Sequence, residues 1–165
     1  MRRTAFIGLG SNLENPAAQL QSALRDLGRM PQTEVLAQSS FYRSAPVGYL
    51  DQPDFCNAVA KLSTGLAPHQ LLQQLLEIEH AHGRERTFRN APRTLDLDVL
   101  LYGELQLDEP GLTLPHPQMH LRAFVLQPLL EIAPDCVVPG QGAVESLLSA
   151  CSHQTLERMD HVAAG

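Results

Sequence analysis

The chain has no tryptophan, only three cysteines and 5% aromatic residues in all. So few rings argue against a sheet that reads single-stranded RNA by stacking. Cys56, Cys136 and Cys151 lie far apart with no C-x-x-C spacing, which excludes a zinc or disulfide framework. An odd number of cysteines suits a reducing compartment, the cytoplasm. A basic excess is lacking too: 12 Lys and Arg face 18 Asp and Glu, a formal charge of −6, so nucleic acid is not an expected partner. No apolar run approaches the roughly 20 residues of a membrane span, and Ala5-Phe6-Ile7 after Met1-Arg2-Arg3 is too short for a secretory signal. No G-x-x-x-x-G-K-[ST] loop occurs, and Gly8-x-Gly10 lacks the third glycine of a dinucleotide fingerprint. An ordinary P-loop kinase and a Rossmann dehydrogenase are thereby excluded. Repeats and low-complexity linkers are absent, and 165 residues at 44% hydrophobic content suffice for one sizeable core but not two. A single domain over residues 1–165 is expected.

What remains is an alternation of strand and helix signals. The first strand is expected from Thr4 to Leu9, with Gly8 and Gly10 letting the chain turn as it leaves. Asn15 as N-cap and Pro16 as first helical residue open a helix with the apolar stripe Leu20, Ala23, Leu24 and Leu27, stopped by Gly28 and Pro31. Strands are expected around Glu34 to Tyr42 and Phe55 to Leu62. A second helix runs from about Pro68 to His82, with Leu71, Leu72, Leu75 and Ile78 on one side. After a further strand, "RAFVLQPLLEIAP" is expected to be a short helical segment broken at Pro128 and Pro134. The order β-α-β-β-α-β favours an α+β fold, a ferredoxin-like α/β sandwich with a mainly antiparallel sheet and helices packed on it.

The strand "LDLDVLLY" carries two acids where a buried strand wants none. Side chains alternate along extended chain, so Asp96 and Asp98 project from one face, roughly 6.6 Å apart, while Leu95, Leu97 and Val99 project from the other. Two ionised carboxylates at that separation repel by about 2.5 kcal/mol at an effective dielectric of 20, so a positive charge is expected between them. A merely wet strand face is the plainer alternative. The preceding "GRERTFRNAPR" holds Arg84, Arg86, Arg89 and Arg93 on a segment that Gly83, Asn90 and Pro92 keep from becoming helix. Arginine forks grip phosphate oxygens with paired bonds, and Mg²⁺ takes one or two carboxylates plus substrate oxygens. Acids and arginines this close in sequence point to phosphoryl-type transfer. Arg84 through Pro92 lacks an apolar stripe, so motion on substrate binding is expected there.

In order, "GLGSNL", "YRSAPVG", "QPDFCNAV", "IEHAHGRER", "PRTLDLDVLLYG" and "LPHPQMHLRAFVLQPLLEIAP" resemble the pattern of the 6-hydroxymethyl-7,8-dihydropterin pyrophosphokinases of folate biosynthesis. The resemblance runs from Phe6 to Pro134. It implies transfer of the β,γ-pyrophosphoryl unit of ATP to the pterin hydroxymethyl group, with release of AMP. It also implies two Mg²⁺ ions, ATP as co-substrate, a ferredoxin-like fold and a monomer with no membrane partner. By the same resemblance, Asp96 and Asp98 hold the metal ions. Ser44, Val47, Phe55, Asn57 and Phe124 form the pterin slot. Arg84, Arg86 and Arg93 are catalytic, and Glu79, Arg84, Arg93, Thr113, His116 and Arg122 surround the nucleotide.

Departures from the family pattern fall in the loop that closes over the pterin and on the nucleotide side. Some relatives carry a tryptophan in the Arg-rich loop, where this chain offers Phe88 and Asn90, and a glutamine where this chain has Leu76. Two other function classes compete. A nucleotidyltransferase would set its Gly-Ser turn close to the D-x-D strand, whereas Gly10-Ser11 and Asp96 are separated by most of the chain. A ferredoxin-like RNA-binding module would need the basic, aromatic sheet face that this composition does not supply.

Overall fold

A computed structural model describes residues 2–12, 15–44, 55–82 and 95–159. In chain order the elements are β1 (Arg3–Ser11), α1 (Pro16–Gly28), β2 (Thr33–Gln38), β3 (Tyr42–Ser44), β4 (Phe55–Thr64), α2 (Pro68–Ala81) and β5 (Leu95–Tyr102). There follow β6 (Leu107–Glu109), β7 (Leu112–Leu114), a 3₁₀ turn (Met119–Leu121), α3 (Ala123–Ile132), β8 (Val137–Val138), β9 (Gly142–Ala143), α4 (Val144–Ser149) and β10 (Leu156–Arg158).

The central sheet runs β5-β1-β4, and both β2 and β3 pair with the far side of β4. With β2 and β3 counted as one interrupted strand, the order is fourth, first, third, second, and every pairing is antiparallel: the ferredoxin-like arrangement expected from the sequence. The interruption corrects the single strand expected over Glu34 to Tyr42. At Ser39 the hydroxyl replaces a backbone rung, its Oγ accepting the Val59 N–H at 2.9 Å while its own N–H donates to the Val59 carbonyl at 2.9 Å.

Period-two alternation then gives each strand two destinations. Ala5, Ile7 and Leu9 of β1, Cys56, Ala58, Ala60 and Leu62 of β4, and Leu95, Leu97 and Val99 of β5 face α1 and α2, and with Leu20, Ala23, Leu24, Leu27, Leu71 and Leu75 they make the larger core. On the opposite face Phe6, Val59, Leu100 and Leu101 meet Val125, Leu126 and Leu129 of α3 and Val144 of α4 in a second core. A register shift between Phe6 and Ile7 lets Leu100 and Leu101 serve the same core.

Three local expectations need correction. Gly8 and Gly10 are not a strand-ending turn; β1 continues extended through Ser11. Asn15 does occupy the N-cap of α1, but at φ 55° and ψ 61°, and it caps with its carbonyl, which accepts the Gln19 N–H at 3.1 Å, rather than with its side chain. Asparagine tolerates this left-handed region better than most residues. Pro128 lies inside α3 without breaking it. It removes a single N–H, and the packing of Val125, Leu126, Pro128 and Leu129 outweighs that loss. Pro134 does mark the helix end, since the residue before a proline avoids the helical region.

Candidate active site

Helix α3 covers only part of its face of the sheet. Beyond it β1, β4 and β5 carry Gly8, Gly10, Asn57, Asp96 and Asp98 in place of large apolar side chains, and a pocket of about 230 Å³ opens there. Register explains the assembly: Gly10 lies between Asn57 of β4 and Asp96 of β5, and Gly8 between Val59 and Asp98. The glycines form the floor. A Cβ at Gly10 would stand 3.3 Å from Asn57 Oδ1, and one at Gly8 would stand 3.3 Å from Leu100 Cδ2. Two glycines at period two were the only trace of this floor in the sequence; their meaning depends on the register that sets them beside Asn57, Asp96 and Asp98, and the turn reading missed it.

Asn57 is 3% exposed, and its amide is held by the strands around it. Its Nδ2 donates to Ser44 Oγ at 2.7 Å and to the Tyr42 carbonyl at 3.3 Å, which turns Oδ1 toward the space above Gly10. Because the Tyr42 carbonyl can only accept, the amide has one sensible orientation. Phe55 lies two residues back on the same face, and Phe124 lines the pocket from the first turn of α3. Asn57 thus offers an acceptor in a pocket also lined by two half-buried rings, which suits a flat heterocycle bearing an amino group.

Asp96 and Asp98 line the same pocket, both half-buried on β5. Arg122, at the N-cap of α3, places its Cζ 5.6 Å from the Phe124 ring centroid, so cation and ring share one wall. His116 completes the rim. Its Nδ1 accepts the Gln118 N–H at 3.1 Å, which leaves Nε2 as the protonated nitrogen of the neutral ring. Burial pulls the His116 pKa below the ordinary histidine value, Asp98 opposes that pull and Arg122 adds to it. A neutral donor is therefore what His116 presents near neutral pH.

The structure thus brings together Ser44, Phe55, Asn57, Asp96, Asp98, His116, Arg122 and Phe124. Glu79 and Thr113 lie outside this pocket. Glu79 is buried on α2, and its Oε2 accepts the Leu97 N–H at 2.6 Å, so it steadies β5 between the two acids from behind. Thr113 sits on β7, donates to Asp108 Oδ1 at 3.3 Å, and lines a separate hollow that shares His116. Val47, Arg84, Arg86 and Arg93 lie outside the described residues, as does the expected motion of the Arg-rich segment.

Among the described residues no three His, Cys, Asp or Glu side chains converge as a self-sufficient metal cage. Two hard carboxylates on one strand face nevertheless fit Mg²⁺, which commonly takes only one or two protein carboxylates and completes its shell with water and phosphate oxygens.

An α+β sheet whose open face concentrates acids, an arginine and an amide in one ring-walled pocket is the layout of a small-molecule enzyme rather than of an RNA-binding sheet. Residues 6–134 match the model of the family 7,8-dihydro-6-hydroxymethylpterin-pyrophosphokinase (HPPK). The chain is similar to the 2-amino-4-hydroxy-6-hydroxymethyldihydropteridine pyrophosphokinase of Pseudomonas aeruginosa, 48% identical over 159 residues, with 96% of this chain and 98% of that protein covered. It is similar to the enzyme of the same name from Haemophilus influenzae, 48% identical over 145 residues, with 88% and 91% covered. Among solved structures it superposes on Plasmodium falciparum HPPK-DHPS with a TM-score of 0.71, covering 91% of this chain but 45% of that one, and at 12% identity this likeness concerns the fold. The chain belongs to the 6-hydroxymethyl-7,8-dihydropterin pyrophosphokinase family.

Proposed function

We propose that this chain transfers the β,γ-pyrophosphoryl unit of ATP to the hydroxymethyl oxygen of 6-hydroxymethyl-7,8-dihydropterin, a step of folate biosynthesis. The observation that carries the reading is the joint placement of Asn57, Phe55 and Phe124 with Asp96 and Asp98 in one pocket over a glycine floor. The pterin lies between the two rings, its amino edge donating to Asn57 Oδ1, and its hydroxymethyl group points toward the acids. The hydroxyl oxygen forms a bond to the β-phosphorus, the bond from that phosphorus to the α,β-bridging oxygen breaks, the hydroxyl proton is released and AMP departs with the bridging oxygen.

Asp96 and Asp98 are the residues that would hold two Mg²⁺ ions. When bound, these supply charge neutralisation on the phosphates and a template for in-line displacement. Arg122 and the His116 Nε2–H address phosphate oxygens from the same pocket. Arg84, Arg86 and Arg93 are assigned to the same task by their motif, and Glu79 and Thr113 to the nucleotide side, Glu79 by steadying β5. Val47 is assigned to the pterin side by its motif alone. The chain is proposed to work as a single-domain monomer in the cytoplasm; among the described residues no helix is long and apolar enough to cross a membrane.

The test is the identity of the nucleotide released when the protein is incubated with MgATP and the reduced pterin. AMP with a pterin diphosphate is expected. ADP would mean an ordinary kinase, free pyrophosphate a nucleotidyltransferase, and either would overturn the reading.

A further inference from the structure

Residues beyond Pro134 carry no motif, yet one of them grips the backbone on both sides of a site residue. We propose that Gln154 is a positioning residue for Arg122: its side-chain amide braces the chain at Leu121 and Ala123 and thereby aims the guanidinium into the pocket. Its Nε2 donates to the Leu121 carbonyl at 2.7 Å, and its Oε1 accepts the Ala123 N–H at 2.8 Å. The inference rests on the pyrophosphokinase reading for what Arg122 does there.

Arg122 stands where the 3₁₀ turn gives way to α3, with φ −124° and ψ 110°. No side chain of the local sequence caps α3, so its first N–H, that of Ala123, would lack a partner without Gln154. Arg122's own backbone is also taken. Its N–H donates to the Met119 carbonyl at 3.3 Å, and its carbonyl accepts the N–H groups of Val125 and Leu126, both at 3.0 Å. The main chain from 121 to 123 is therefore fixed on every side, and the Arg122 side chain projects from it across Phe124.

Gln154 is itself held. Its N–H donates to the carbonyl of buried Cys151 at 2.9 Å, and the residues that follow it pair with β3, Leu156 opposite Ser44. The two partners demand both halves of an amide: Leu121 needs a donor and Ala123 an acceptor. A glutamate would set an oxygen against the Leu121 carbonyl, and a leucine would satisfy neither group. A guanidinium binds phosphate oxygens directionally, so an anchor that drifts by a fraction of an ångström loses rate out of proportion to binding.

The experiment compares Gln154→Leu and Gln154→Glu in the full-length wild-type chain and in an Arg122→Ala background. AMP formation, pterin affinity by calorimetry, and the Arg122 Nε–H resonance of the substrate-free protein are measured, the resonance being assigned by its absence in Arg122→Ala. In the wild-type background both variants should lower kcat about tenfold while pterin affinity changes little. In the Arg122→Ala background neither should lower it further, because residues that act as a unit are not additive. The Nε–H resonance should move toward the position of a solvent-exposed arginine. An equal loss of rate in both backgrounds, or a loss of pterin affinity matching the loss of rate, would make Gln154 a general structural tie and overturn the proposal. An unmoved resonance would overturn it without reference to turnover. Absence of AMP in the wild-type protein would instead strike at the pyrophosphokinase reading, while the resonance would still decide whether Gln154 positions Arg122.

Discussion

The two faces of the central sheet are made by the same three strands, yet they differ in nearly everything else. Toward α1 and α2, β1, β4 and β5 present Ala5, Ile7, Leu9, Ala58, Ala60, Leu95, Leu97 and Val99, and the space is filled. Toward the other side the alternate positions are apolar only beneath α3; farther along they become Gly8, Gly10, Asn57, Asp96 and Asp98, and the space stays open. A filled face contributes stability and cannot bind, whereas a binding face must leave surface unfilled and polar groups ready for a ligand. Period two lets one strand do both, so substitutions one residue apart should have unlike consequences.

The largest expected effect is on the acids. Asp96→Asn or Asp98→Asn keeps shape but removes a hard anionic ligand, so turnover should fall about a thousandfold, equivalent to roughly 4 kcal/mol of barrier. The melting temperature should change little, since both carboxylates are half-buried on the pocket face and belong to neither core. Retained turnover would remove the metal role. Next come the pterin contacts. Phe124→Ala and Asn57→Ala should each weaken pterin binding by about 1 to 3 kcal/mol, with ATP binding little changed. Calorimetry that showed ATP affinity lost and pterin affinity kept would reverse the two halves of the site.

Gly10→Ala divides the faces with a single carbon. Alanine is ordinarily preferred to glycine in a strand, which offsets part of the disturbance to the buried Asn57 amide and keeps the change in stability small, but the new Cβ meets Asn57 Oδ1 at 3.3 Å. Pterin affinity should fall about tenfold, or roughly 1.4 kcal/mol, through displacement of the amide. Unchanged affinity would mean that the floor is not in contact with the ligand.

The smallest effect is in the titration of His116. Because burial, set against Asp98 and aided by Arg122, lowers its pKa, the NMR midpoint should lie below the ordinary value near 6.5. Asp98→Asn should lower it further and Arg122→Ala should raise it. A group that binds fewer protons folded than unfolded stabilises the fold fully above about 6.5, and that contribution is lost as pH falls toward the depressed folded value. A midpoint at or above 6.5 would show that Asp98 outweighs burial and Arg122, and would contradict the neutral-donor reading.

How much of this the sequence disclosed follows from the range over which each feature is determined. The Leu20, Ala23, Leu24 and Leu27 stripe, the pairing of Asp96 with Asp98 on one face, and the β-α-β-β-α-β order depend on local periodicity and are visible in the chain itself. The glycine floor was not, because Gly8 and Gly10 acquire meaning only through the register that sets them between Asn57, Asp96 and Asp98. Pro128 misled because a local rule was overridden by burial against the sheet. Gln154 lay beyond reach for a further reason. Its partners are 31 and 33 residues away and are backbone groups, so nothing in residue identity marks the contact.

The central claim, one face for the fold and one for the chemistry, is tested most directly at adjacent residues. Leu97→Ala and Asp98→Asn are made separately, and each is measured for thermal midpoint and for AMP formed from MgATP and the reduced pterin. Leu97, 3% exposed in the larger core, should cost about 3 kcal/mol and on the order of 10 °C, with turnover largely kept below the new midpoint. Asp98→Asn should leave the midpoint in place and abolish most AMP formation. If Leu97→Ala lost turnover as severely as Asp98→Asn at temperatures where it is folded, or if Asp98→Asn unfolded the protein, the division of labour between the two faces would be contradicted.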